Sequence, residues 1–275
     1  MSQTGPRFLT LDDLNTLVNT TPSNTPANQP AAMHDQYGAQ GQDAYGRLYR
    51  FVLFPGTATL EPGLTLVQAV QASNTTGLAI PTTQPSTTAT GSGASGTSAL
   101  AAGSLSFNVT NGATAVTLDE FGYVEILVNA GGTYLLKLRG NSAAAASTGT
   151  ITLYLEDPIP PTATTLIAGT DTVNLVYNPY KSPIASKTLG AAVGVTIVPV
   201  PNTSTAAYAG WVQTHGYAFV QATSGTLGYP VAQDLSGTAG FVANIGAGLA
   251  ESQETFGVFS IAEASSTAQV FLKID

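Results

Sequence analysis

The sequence predicts an all-β protein with an antiparallel β-sandwich or β-barrel body and an extended N-terminal arm carrying one short helix. Two observations lead to this prediction. From residue 45 onward, short runs rich in aromatic and β-branched residues alternate with segments rich in Gly, Pro, Asn and Ser. Residues 1–44 differ, because they hold one short apolar segment followed by a run rich in Pro, Asn, Gln and Gly. The chain therefore divides into an arm and a β-rich body.

The arm contains the one segment whose pattern indicates a helix. Thr10 can cap this helix and Asp13 follows three positions later, as in a capping box. A helix of about two turns is too short to be stable alone, so its apolar face needs a partner. That partner is either the body of the same subunit or a neighbouring subunit. The side chains expected on this face are Leu11, Leu14, Leu17 and Val18.

The β-rich body is predicted to contain two regions. Residues 45–160 form the first and include a low-complexity loop at 82–104 that is too small and polar to form a core. The proline-rich segment DPIPPTATTLIAGTDT places a soft boundary near Pro160. Residues 161–275 then form a C-terminal β domain, unless the two regions are one intertwined body.

The alternation within YLLKLRG illustrates the strand pattern. Tyr134, Leu136 and Leu138 fall on one face of such a strand, and Leu135 and its alternate neighbours fall on the other. This arrangement predicts a half-buried antiparallel strand.

Composition excludes several classes of protein. Only 9% of residues are charged, the net charge is −8 and there is no cysteine. An acidic chain without a basic stripe is not expected to bind nucleic acid directly, and no apolar run is long enough for a membrane-spanning helix. Because MSQTGPRFLT lacks the pattern of a secretory signal, we expect synthesis in the cytoplasm.

A search for catalytic chemistry finds no convincing motif. The two histidines are His34 and His215, and neither lies near a nucleophile motif. The adjacent acidic pairs Asp12–Asp13, Asp119–Glu120 and Glu156–Asp157 fit helix starts and turns better than a glycosidase pair. We therefore predict no enzyme activity, no metal and no cofactor.

The single tryptophan, Trp211, lies in an aromatic segment with Tyr208, Tyr217 and Phe219. These side chains could form a sugar platform or an interface anchor. Because they lie at strand-like spacing, we expect a role in the core.

The segments NLVYNPYKSP, VGVTIVPVPN, YAGWVQTHGYAFVQA and GVFSIAEASSTAQVFLKID, together with GRLYRFVLFPG near residue 50, resemble capsid decoration (cement) proteins of tailed bacteriophages. The resemblance covers about residues 45–275. It implies a β-rich body, often a homotrimer, on the outer capsid surface at threefold or quasi-threefold positions. Its partner would be the major capsid protein, and the protein would be located in the virion after synthesis in the host cytoplasm.

On this interpretation the arm orders against the capsid or an adjacent subunit. The candidate capsid or intersubunit contacts are Arg7, Phe8, Leu9, Leu11, Leu14, Leu17, Val18, Tyr37 and Tyr45. Two alternatives remain open: a carbohydrate-binding or adhesive head-fibre module, and a tail structural protein. Glycan binding would require an exposed Trp211 or exposed tyrosines on one face.

Overall fold

The computed structural model confirms the all-β prediction, with one short N-terminal helix. It describes these residues: 7–20, 37–54, 59–68, 78–79, 103–118, 120–128, 132–146, 149–159, 171–181, 183–186, 190–202, 207–235, 238–244, 255–264 and 266–274. The helix α1 is Leu11–Asn15. The strands are β1 (Arg7–Phe8), β2 (Val18–Thr20), β3 (Gln40–Gln42), β4 (Leu48–Phe54), β5 (Thr65–Val67), β6 (Leu78–Ala79), β7 (Ser106–Thr110), β8 (Phe121–Val128), β9 (Gly132–Asn141), β10 (Thr150–Leu155), β11 (Thr172–Tyr177), β12 (Ala192–Thr196), β13 (Ala207–Gln221), β14 (Pro230–Gln233), β15 (Val242–Asn244), β16 (Thr255–Ala264) and β17 (Thr267–Lys273).

The chain forms two compact units. The first unit takes its described residues from 1–22, 36–70 and 179–275, and the second takes them from 71–178. The second unit is thus inserted in the sequence between two parts of the first. This division differs from the expected boundary near Pro160, because β11 pairs with β8 of the same sheet and keeps the chain in the second unit until residue 178.

The second unit is built on six antiparallel strands in the order β6-β11-β8-β9-β10-β7. The sheet curls, so that Cα atoms of its two end strands lie within 8 Å of each other. The alternation predicted for β9 is confirmed, since Leu138 is buried and Leu135 is 66% exposed. The buried apolar side chains form one core: Leu78, Phe107, Val109, Phe121, Val124, Ile126, Leu138, Ile151, Leu153, Leu155, Ile159, Val173 and Leu175.

The first unit is built on an eleven-stranded sheet in which the 15-residue strand β13 is central. This strand pairs with β2, β4, β12 and β17. Val212, Ala218 and Val220 of β13 lie in buried apolar clusters. Ala209 and Trp211, which alternate with Val212, belong to a separate buried cluster. Strand β13 therefore contributes to the core from both of its faces.

The capping box predicted at the start of α1 is confirmed. The Asp13 backbone N–H donates to Thr10 Oγ1 at 3.2 Å, and the Thr10 N–H donates to Asp13 Oδ2 at 2.9 Å. The helix ends at Asn15, because Thr16 is already extended. The prediction of one shared apolar face was wrong, since Leu14 is buried whereas Leu11 is 70% exposed.

The described part of the arm docks on its own unit. Strand β1 pairs in parallel with β3, and β2 pairs with β13. Of the two partners that the sequence left open, the helix uses the body of the same chain. The proline-rich part of the arm (21–36) and most of the low-complexity loop (82–102) lie outside the described residues. No helix among the described residues is long and apolar enough to span a bilayer.

Candidate functional site

The aromatic segment of β13 divides into a buried half and an exposed half. Trp211 is 5% exposed, which confirms its expected place in the core. The same expectation was wrong for Tyr217 and Phe219, which are 56% and 68% exposed. Tyr208 packs at the edge of a core cluster.

A β-bulge separates the two halves, because the pairing of β13 with β4 shifts register between Gln213 and His215. Trp211 lies before the shift and packs in one apolar cluster with Leu9 and Leu14. Beyond the shift, Tyr217 and Phe219 lie on one face of β13. Ala218 and Val220 on the opposite face remain buried. Beyond His215, β13 is therefore covered on one face and open on the other.

A groove of about 750 Å³ lies over this open face of the first unit. We call it the β13 groove. At one corner Gly216 has φ +89°, and a Cβ there would lie 3.0 Å from Arg47 Cγ, so the close approach of the two segments requires glycine. The groove is lined by Tyr45, Gly46, Arg47, Pro62, Gly63, Val195, Thr196, Ile197, Gln213, His215, Gly216, Tyr217, Ala218, Phe219, Val220, Gln221, Thr267, Gln269 and Phe271.

Three rings at the floor of the β13 groove pack edge to face. The Phe271 centroid lies 5.1 Å from the Tyr217 centroid and 5.3 Å from the His215 ring, with interplanar angles of 78° and 77°. Tyr217 and Phe271 are also a cross-strand pair of β13 and β17. Such edge-to-face pairs add to the stability of a sheet surface and restrict ring motion. The aromatic floor is therefore held in place before any ligand arrives.

A buried carboxylate fixes the turn at the groove rim. Asp43 accepts hydrogen bonds from the backbone N–H groups of Tyr45 (2.9 Å) and Arg47 (3.0 Å), from Arg47 Nε (2.7 Å) and from the Tyr49 hydroxyl (3.1 Å). The guanidinium of Arg47 in turn lies 5.6 Å from the centroid of the Tyr45 ring. Burial raises the pKa of Asp43, but the hydrogen bonds from Arg47 and Tyr45 outweigh it and hold the pKa below its ordinary value of 3.8.

This network predicts a pH-dependent contribution to stability. A lowered pKa in the folded state means that the ionised Asp43 stabilises the fold fully above about pH 4, and that the stabilisation is lost as the pH falls through the folded-state pKa. We expect Asp43→Asn to lower the free energy of unfolding by about 2 kcal/mol at pH 7, because hydrogen bonds to a charged group are lost. Urea unfolding should show that the difference in free energy of unfolding between Asp43→Asn and the unchanged protein becomes smaller below pH 4. The control is Asp12→Asn, which changes an exposed carboxylate. A difference in free energy of unfolding that does not change with pH would contradict the lowered pKa of Asp43.

The nine candidate contact residues, eight in the arm and Tyr45 directly after it, occupy three kinds of position. Phe8, Leu11 and Tyr45 are 78%, 70% and 84% exposed. Leu9 and Leu14 are buried in their own unit, and their contact with another subunit stays a prediction. The remaining candidates make contacts within the unit: Arg7 forms an ion pair with Asp13 at 2.9 Å, and Leu17, Val18 and Tyr37 pack against the cores.

One member of each acidic pair has a structural partner. Asp13 caps α1, Glu156 Oε2 lies 2.6 Å from Lys137 Nζ, and Glu120 accepts from the Thr117 N–H at 2.6 Å. His34 lies outside the described residues. In the described ranges, no three His, Asp or Glu side chains come together as a metal site would require.

Comparison with protein-family models, curated proteins and solved structures finds no match. The function is therefore argued from the surface of the molecule itself.

Proposed function

We propose that this protein is a structural virion protein, a decoration protein that binds the outer surface of a tailed-phage capsid and stabilises the shell. The observation that carries the proposal is the N-terminal segment, which is anchored to the body by Leu9 and Leu14 and exposes Phe8 and Leu11 to solvent. The sequence resemblance described above supports the same role. The partners would be the major capsid protein and two further copies of this chain in a homotrimer.

The exposed side chains of the segment suit a protein interface. Large apolar groups on an anchored segment bind at a lower conformational cost than the same groups on a free chain. Phe8 lies in β1, which stands at the end of the strand order, so among the described residues one edge of β1 has no strand neighbour. Its backbone N–H and C=O groups are available to pair with an extended segment of a partner.

Stabilisation of a shell follows from differential binding. A protein that binds assembled subunits better than free ones shifts the equilibrium towards the assembled shell. Burying Phe8 and Leu11 would each contribute about 1.5–3 kcal/mol, and a trimer repeats the contact. The small number of charged residues keeps the cost of desolvating the surrounding surface low.

Point variants test this proposal better than deletion of the arm, because deletion would also remove Leu9 and Leu14 from the core. We expect the double variant Phe8→Ser/Leu11→Ser to weaken binding to expanded cognate capsids by about 100-fold, which corresponds to about 3 kcal/mol. Co-sedimentation of purified protein with undecorated capsids measures the affinity. A matched control is Tyr123→Ser/Leu135→Ser, which changes two exposed side chains of the second unit.

The melting temperatures of both double variants should stay close to that of the unchanged protein, since all four side chains are exposed. Equal capsid occupancy of Phe8→Ser/Leu11→Ser and the unchanged protein would refute the role of this segment.

A further inference from the structure

We propose that the β13 groove is a binding site for a neutral oligosaccharide. The inference goes beyond the proposed attachment to a capsid and concerns a different surface of the first unit. It rests on the aromatic floor, the polar side chains beside it and the charges along the lining.

The aromatic floor provides a stacking surface. The Tyr217 ring is 56% exposed and Tyr45 at the rim is 84% exposed, so both present ring surface to solvent. Pyranose rings have an apolar face of C–H groups that packs against an aromatic ring, while a tyrosine hydroxyl remains free to meet water or a sugar hydroxyl. Because Phe271 and the sheet backbone hold Tyr217, little side-chain entropy is lost on binding.

The polar lining suits hydroxyl groups. Gln221, Gln269 and His215 border the stacking surface. Amide and imidazole groups combine donors and acceptors, and sugar hydroxyls also do both. The Ser260 hydroxyl donates a hydrogen bond to Gln269 Oε1 at 3.1 Å, and Gln221 Nε2 donates to the Pro62 carbonyl at 3.3 Å. These side chains are thereby oriented along the groove.

The charges along the lining separate this ligand class from others. Among the described residues, no acidic side chain lines the groove and the one Lys or Arg in the lining is Arg47, whose Nη2 pairs with Asp43 at 2.6 Å. A nucleic acid or phosphorylated ligand would need cations that are not already paired. A wholly apolar peptide would bury the polar groups of the glutamines and the histidine without forming hydrogen bonds to them. Each such group would make the binding free energy less favourable, because it loses its hydrogen bonds to water. A neutral, polyhydroxylated ligand can stack on the rings and form hydrogen bonds with the amides.

Saturation-transfer NMR on the full chain tests the inference. The probes are maltohexaose, cellohexaose, laminarihexaose, mannohexaose and chitohexaose, each at millimolar concentration. We expect at least one of them to receive saturation on the C–H protons of one sugar face, and Tyr217→Ala to weaken that binding at least about tenfold. Tyr217→Phe keeps the ring and should retain most of the signal, and Tyr123→Ala is the matched control because Tyr123 is an exposed tyrosine of the other unit.

The outcomes distinguish this inference from the proposed function. Phe8→Ser/Leu11→Ser should bind the oligosaccharide normally, and Tyr217→Ala should occupy capsids normally. Absence of saturation transfer to all five probes, or transfer that Tyr217→Ala leaves unchanged, would overturn the inference. Loss of capsid binding in Tyr217→Ala together with no oligosaccharide binding would assign the groove to a protein interface instead.

Discussion

Replacing Trp211 with alanine is expected to lower the free energy of unfolding of the first unit by about 3–5 kcal/mol. Trp211 is 5% exposed and packs edge to face on Phe51, with ring centroids 5.1 Å apart. Its cluster also contains Leu9 and Leu14, so the cavity left by the substitution would weaken the docking of the N-terminal segment as well. Urea unfolding followed by circular dichroism measures the change.

Phe219 supplies the control for this substitution. It lies in the same strand but is 68% exposed, so Phe219→Ala should change the free energy of unfolding by no more than about 0.5 kcal/mol. Similar losses in the two variants would contradict the division of β13 into a buried and an exposed half.

Excising residues 71–178 is expected to give a fragment that folds on its own. The second unit has its own six-stranded sheet and one apolar core. Its first and last described strands are joined, because β6 pairs with β11 through Ala79 and Thr172. A fragment whose first and last strands pair and whose apolar side chains form a single core should unfold cooperatively.

Urea titration of the fragment checks this expectation. Leu153 is fully buried and Leu135 is 66% exposed, so Leu153→Ala should lower the free energy of unfolding by about 2–5 kcal/mol while Leu135→Ala should have little effect. A fragment with no cooperative transition, or one equally sensitive to both changes, would show that this unit depends on the rest of the chain.

Local patterns were enough to predict much of the fold. The capping box of Thr10 and Asp13 involves residues three positions apart, and the alternation in β9 follows from the geometry of a single strand. The inserted arrangement of the two units could not be predicted in this way. The segment DPIPPTATTLIAGTDT marks a break, but which sheet β11 then joins depends on its pairing with β8, some 50 residues earlier.

Local sequence patterns could not predict the β13 groove for the same reason. Its lining comes from segments around Tyr45, Pro62, Thr196, His215 and Phe271, which only the folded sheet brings together. Alternation along β13 correctly places Tyr217 and Phe219 opposite Ala218 and Val220. It does not show that the pairing of β13 with β4 shifts register between Gln213 and His215, or that the N-terminal segment packs against Trp211.

Electron cryomicroscopy of expanded cognate capsids mixed with the purified protein would show whether the proposed capsid binding occurs. We expect ordered density for this chain on the outer surface at threefold or quasi-threefold positions, with Phe8 and Leu11 buried against the major capsid protein or a neighbouring copy. Capsids that remain bare at saturating protein concentration would contradict the assignment as a decoration protein.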